Sequence, residues 1–284
     1  MKWVIAPEPA LPWPSKYPHA RVWSPPALAV RVALRLAPRR IEARLHLRRA
    51  LAQLAARQIP GSATEVIAPS LCARPVFAEA KRRGLRTVLV QDLPCLRRLH
   101  ADLDRASAAH PSSRFLRSYR AAPWAIVEQE AEWVLADEVV VRGAYAAAIV
   151  SRHAPVSPLQ APSQAPGRVK RPQRVQLAGI ATPRHGIFEL LEAQARLEEE
   201  LEIIVRPGEG LEPYDLLGRR GIVTSGTPDV VVAPSWCEAH LTEVHDAVAR
   251  GVPVIATPQA SGWLGEAVTR VAPGDVAALV RALS

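Results

Sequence analysis

Apolar residues along this chain fall into short runs separated by amphipathic stretches, the pattern of buried strands alternating with helices. Runs at Lys2–Ala6, Glu65–Ala68, Thr87–Val90 and Glu138–Val141 predict strands in the first half. Between them Pro75–Arg83, closed by Gly84, and Ala125–Ala136 predict helices, and a further helix starts at Ala144. The region 27–57 reads as helix interrupted at Pro38. Its second piece sets Ile41, Leu45, Leu51 and Leu54 near one face, while Arg40, Arg44 and Arg48 repeat at i, i+4 along another. A second alternation opens at Val175–Ala178 and runs through Ile203–Val205, Gly221–Val223, Val230–Ala233 and Val252–Ala256. Between Arg152 and Pro172 the pattern stops in favour of five prolines, which predicts a linker or crossover. The expectation is an α/β protein with parallel sheets and two Rossmann-like domains, 1–160 and 161–284.

The second alternation also carries the densest chemistry. The run Val230–Ala233 ends at Pro234-Ser235; a carboxylate follows at Glu238, then a helix bearing Asp246 and ending at Gly251, then a second apolar strand. Strand, loop, helix and strand at this spacing form one βαβ unit. Ligands of open α/β sheets bind at the carboxyl ends of strands, so both acids are expected at a ligand site.

Length and charge sharpen this. The chain has 284 residues, 49% hydrophobic and 22% charged, enough for two domains with cores of their own. No apolar run reaches the ~18–20 residues of a membrane span. The opening MKWVIAPEPALPWP breaks at prolines too soon for a signal peptide. Cys72, Cys95 and Cys237 lie far apart without metal-ligand spacing, which suits reduced thiols in the cytoplasm. The net charge of +9 is uneven: residues 1–150 hold 23 Lys/Arg against 12 Asp/Glu, and residues 151–284 hold 13 against 15. A basic first half points to an anionic partner, nucleic acid or a membrane surface, or else to an Arg-rich face that only solubilises.

The motif Pro234-Ser235, Glu238, Asp246, Gly251, Pro253-Val254-Ile255-Ala256 resembles the donor-site signature of retaining glycosyltransferases with the GT-B fold, family 4 in particular. The ending Val271-Ala272-Pro273-Gly274-Asp275 is similar as well, and Asp246 stands where that family has Glu. The resemblance implies two Rossmann-like domains facing across a cleft. It also implies transfer of a hexose from a UDP- or GDP-linked sugar, with retention and without a metal or other cofactor. Glu238 would touch the sugar hydroxyls and Asp246 the ribose. The amides of Ala239, His240 and Leu241 would face phosphate at a helix start. In the second domain's first loop, Gly179, Arg184, His185 and Gly186 match the family's glycine and basic positions, with His185 in place of Lys. A guanidinium at Arg184 would clamp the pyrophosphate and neutralise the leaving group; His185 would do so more weakly. Gly208, Thr224 and Ser225 are candidates for base and phosphate contacts.

The first domain is less similar. Gln91 and Asp92 stand where the family has a His-Asp loop near the acceptor, and Asp92 would orient the acceptor hydroxyl. Glu132, Ala136 and Asp137 match a second motif, but Arg142-Gly143 replaces Pro-Ser. Asp102-Leu103-Asp104 has metal-motif spacing yet sits on an expected helix, where it reads as surface charge. The expected acceptor is carried on a polyanion contacted by Arg40, Arg44 and Arg48: a hydroxymethylated base in DNA, flipped out of the duplex. The alternatives are an anionic lipid or surface glycan reached from the membrane periphery, and a non-catalytic sugar-nucleotide or nucleic-acid binding protein.

Overall fold

The computed structural model describes residues 1–5, 20–23, 41–91, 94–141, 143–158, 171–197, 201–206, 220–237, 241–262 and 264–284. They form two compact units, one of Met1–Arg97, Ala121–Val141 and Ala147–Ser157, the other of Arg98–Arg120, Arg142–Ala146 and Pro158–Ser284. The segment 98–120 thus packs with the C-terminal residues, a membership that strand–helix alternation does not signal.

The first unit holds a six-stranded sheet made by β1 (Lys2–Ile5), β2 (Arg21–Trp23), β3 (Glu65–Pro69), β4 (Arg86–Gln91), β5 (Glu138–Val141) and β6 (Val156–Pro158). Its order is β2-β1-β3-β4-β5-β6, and the pairings from β2 through β5 are parallel. Strands β3 and β4 are buried almost throughout, which explains why they read as continuous apolar runs rather than alternating ones. Helices α1 (Ile41–Ala56), α2 (Ala73–Arg82), the start of α3 (Leu96–Ala109) and α5 (Pro123–Leu135) belong to this unit; the rest of α3 and α4 (Arg114–Ser118) belong to the other, and α6 (Ala144–Val150) is divided between them.

The second sheet comprises β7 (Arg174–Ile180), β8 (Glu202–Arg206), β9 (Ile222–Val223), β10 (Val230–Ala233), β11 (Val254–Ala256) and β12 (Thr269–Arg270). It is parallel in the order β12-β11-β10-β7-β8-β9. Its two faces separate by the strand period of two. Val230 and Val232 pack with Ile187, Leu190 and Ala193 of α7 (Ile187–Arg196) and with Val276 and Leu279 of α10 (Val276–Leu283). Val231 and Ala233 face Val244, Ala247 and Val248 of α8 (Leu241–Ala249) and Ala260 of α9 (Pro258–Ser261). The fold class is therefore the expected α/β one with parallel sheets.

Candidate functional site

Chain order reverses direction once in the second sheet. From β7 the chain moves through β8 to β9 on one side, then returns to β10 and moves through β11 to β12 on the other. The loops leaving β7 and β10 lie side by side at this switch point, where open α/β sheets bind ligands.

The β7 loop is built to fold back tightly. Gly179 is buried at φ +80°, within a register shift between Gln176 and Ile180 that lets the strand turn out of the sheet. The next residues form a 3-10 turn, Pro183–His185. His185 is buried, and its Nδ1 lies 2.7 Å from the Ile180 carbonyl, which can only accept, so Nδ1 carries the proton. That nitrogen is also 2.9 Å from Thr182 Oγ1. His185 therefore ties the loop to the strand it came from. Gly186 has φ +80°, and a Cβ there would sit 2.3 Å from the Pro234 carbonyl, so the β7 loop rests directly on the exit of β10.

That contact brings Arg184 to the loop leaving β10. The Arg184 carbonyl accepts the Trp236 amide at 3.0 Å. Its guanidinium stacks over Tyr119, with Cζ 4.6 Å from the ring centroid, and Nη1 donates to Cys237 Sγ at 3.8 Å. Arg184 thus stands beside the residue that precedes Glu238. Glu238, Ala239 and His240 lie outside the described residues, as do Gly208 in the other loop and Asp92 in the first unit. Leu241 opens α8, as the helix-start reading requires, and Asp246 is exposed on that helix. Thr224 and Ser225 are exposed after β9, an edge strand two places from β7, so the switch point does not gather them with Arg184.

Several residues that pattern reading passed over complete this corner. Trp236 donates its Nε1–H to Glu189 Oε1 at 2.8 Å, and His110 Nε2 lies 2.6 Å from the same oxygen. His110 leans on Phe188 with ring centroids 5.0 Å apart and meets Trp236 edge-on at 6.1 Å. Glu189 and Trp236 are buried, and Glu189 Oε2 has no hydrogen-bond partner among the described residues. A carboxylate one position from Leu190, in an otherwise apolar helix face, was the available signal.

In the first unit Gln91 is buried and accepts the Trp133 Nε1–H at 2.9 Å, so the side chain at the expected acceptor position is turned into the core. Arg48 is only 8% exposed and reaches the Ser70 carbonyl at 3.4 Å. Burial takes it out of the expected stripe; Arg40 lies outside the described residues and Arg44 is placed on α1. Asp102 corrects the surface-charge reading of 102–104. It is 1% exposed, accepts from the Tyr145 hydroxyl at 2.7 and 2.9 Å, and pairs with Arg98 and Arg105, whereas Asp104 is exposed. Among the described residues no cluster of His, Cys, Asp or Glu has the arrangement to hold a metal ion, and no helix is long and apolar enough to cross a membrane.

No protein-family model matches the chain, and no curated protein matches it. Solved structures do. Anabaena Alr3699/HepE, in complex with UDP and glucose, is 12% identical and superposes with a TM-score of 0.59, covering 100% of this chain and 89% of its own. TarM is 10% identical with a TM-score of 0.53, covering 82% of this chain and 50% of its own. A ugt transferase from Siraitia grosvenorii in complex with UDP is 12% identical with a TM-score of 0.51, covering 99% and 89%. Likeness at such identity is one of architecture, and the architecture is the GT-B fold of glycosyltransferases.

Proposed function

We propose that the protein is a glycosyltransferase that binds a nucleotide-sugar donor, of the uridine diphosphate class, against the second unit. The observation that carries this reading is the meeting of Arg184 with the Trp236–Cys237 loop at the switch point of the sheet. A guanidinium there matches a pyrophosphate by bidentate hydrogen bonding and offsets charge on the leaving phosphate. Two similar structures hold UDP. On this reading Glu238 binds the sugar hydroxyls and Asp246 the ribose. The finer attribution to a family-4-like, retaining and metal-independent hexosyltransferase rests on the motif from Pro234 to Ala256. Retention would have the departing phosphate take the acceptor proton.

The acceptor we propose is a hydroxyl on a polyanion, such as a hydroxymethylated base in DNA; the excess of Lys and Arg in residues 1–150 supports it. An anionic lipid is the alternative that the same charge favours. The inward-turned Gln91 favours a different reading, a sugar-nucleotide binding protein without turnover. A panel of UDP- and GDP-sugars, with glucosylation of hydroxymethylated duplex DNA and of anionic vesicles followed by mass spectrometry, separates the three. Donor hydrolysis or transfer supports catalysis. Tight donor binding without turnover on any acceptor supports the binding protein, and no donor binding at all refutes both.

A further inference from the structure

We propose that Glu189 is a positioning residue for the nucleotide site: through Trp236 it fixes the loop that carries Cys237 against Arg184. The inference rests on the nucleotide-binding reading above.

Glu189 sits in the first turn of α7, where the neighbouring Ile187, Leu190 and Ala193 fill the apolar core. At 2% exposure its carboxylate is shut off from water. Oε1 receives both Trp236 and His110, while Oε2 is buried with no partner among the described residues. A buried carboxylate satisfied on one oxygen costs stability relative to an apolar side chain. The core therefore gains nothing from an acid here, and its value lies in what it holds.

It holds Trp236 by the indole N–H, and Trp236 joins three loops. Its backbone amide binds the Arg184 carbonyl in the β7 loop. Its own segment leaves β10. Its ring covers Gly274, where a Cβ would lie 2.6 Å from Trp236 Cη2, so only glycine lets the indole lie flat against the turn before α10. His110, packed against Phe188 and Trp236, bonds the same carboxylate oxygen. Displacement of Trp236 would loosen its backbone bond to Arg184, and with it the neighbouring Cys237. The Arg184–Cys237 approach and the packing of Gly186 on Pro234 link the same two loops.

Cys237 gives a reporter that needs no ligand. It is fully buried on this loop, while Cys72 and Cys95 are buried in the first unit. The experiment measures thiol labelling of each cysteine by mass spectrometry, together with calorimetric affinity for UDP and GDP, in wild type, Glu189→Ala, Glu189→Gln and Trp236→Phe. In Glu189→Ala we expect Cys237 to label about tenfold faster with Cys72 and Cys95 unchanged, and UDP affinity to fall about tenfold, the loss expected for one charge-assisted hydrogen bond. Glu189→Gln keeps an acceptor for the indole and should restore both; Trp236→Phe keeps the ring without its N–H and should reproduce the loss. A purely structural role predicts no rescue and parallel labelling of all three thiols. Wild-type labelling and affinity in a folded Glu189→Ala overturn the proposal. If Glu189→Ala does not fold, Trp236→Phe carries the same expectation and the same refutation. If the wild type binds neither nucleotide, the nucleotide reading fails, and the Cys237 rates alone decide whether Glu189 holds the loop.

Discussion

Each sheet has one place where chain order reverses, between β1 and β3 in the first unit and between β7 and β10 in the second. At the first, the loop leaving β3 is closed by the protein's own carboxylate. Glu132, fully buried on α5, accepts the amides of Leu71 at 2.7 Å, Ala73 at 2.6 Å and Arg74 at 3.2 Å, and so satisfies the free N–H groups at the start of α2. At the second, the buried acid Glu189 holds an indole and leaves Oε2 without a partner among the described residues, while Arg184 stays partly exposed. One corner uses its helix N-terminus for internal anchoring; the other leaves a guanidinium partly exposed beside Cys237. The difference favours the second unit for the donor site proposed above.

Removing the Glu132 carboxyl group is the harshest way to break this comparison. Glu132→Ala strands three amides, those of Leu71 and Ala73 buried, and should destabilise the protein by roughly 3–5 kcal/mol, read as a lower urea midpoint at unchanged slope. The pH dependence follows from the same group. Burial pushes the Glu132 pKa up from its ordinary 4.5 to about 8, against the opposing pull of the Leu71, Ala73 and Arg74 amides. A raised folded pKa means the folded state holds the proton more tightly. Its contribution is then complete below about 4.5 and is lost as pH rises through about 8. Urea midpoints at pH 5, 7 and 9 should fall by an amount on the order of 3 kcal/mol, and Glu132→Gln should flatten the fall.

Smaller perturbations sharpen the second corner. Gly186→Ala forces a Cβ onto the Pro234 carbonyl at positive φ and should cost about 2 kcal/mol while weakening any ligand bound at the β7–β10 junction; thermal melts with and without UDP check both. Tyr145→Phe removes one of several donors from Asp102, a buried acid with both oxygens bonded. It should cost only about 1 kcal/mol in a urea melt. A loss of that size would set Asp102 with Glu132 as an anchoring acid and apart from Glu189.

Much of the architecture was written in local pattern. The runs at Glu138–Val141 and Val230–Ala233 coincide with β5 and β10, and the helices expected near Pro75 and Ala125 fall within two residues of α2 and α5. Strands buried on both faces leave continuous apolar runs, and these survive in any sequence that folds this way. Arg184 was legible because its spacing from Gly179 and Gly186 records a tight loop that the positive φ values require. His110, Tyr119 and Glu189 were not. Their meeting depends on segment 98–120 packing with residues more than sixty positions later, and local periodicity carries no trace of that. Arg48 and Asp102 misled for the complementary reason: a charged residue on a helical face reads as solvated unless its buried partner is known.

The most direct test of the account is titration calorimetry of UDP into the wild-type protein and into Arg184→Ala. A site at the second switch point predicts saturable binding, weakened about 10–100-fold in the variant with no loss of thermal stability. Equal UDP affinity in the two proteins, or no heat from either, would contradict it.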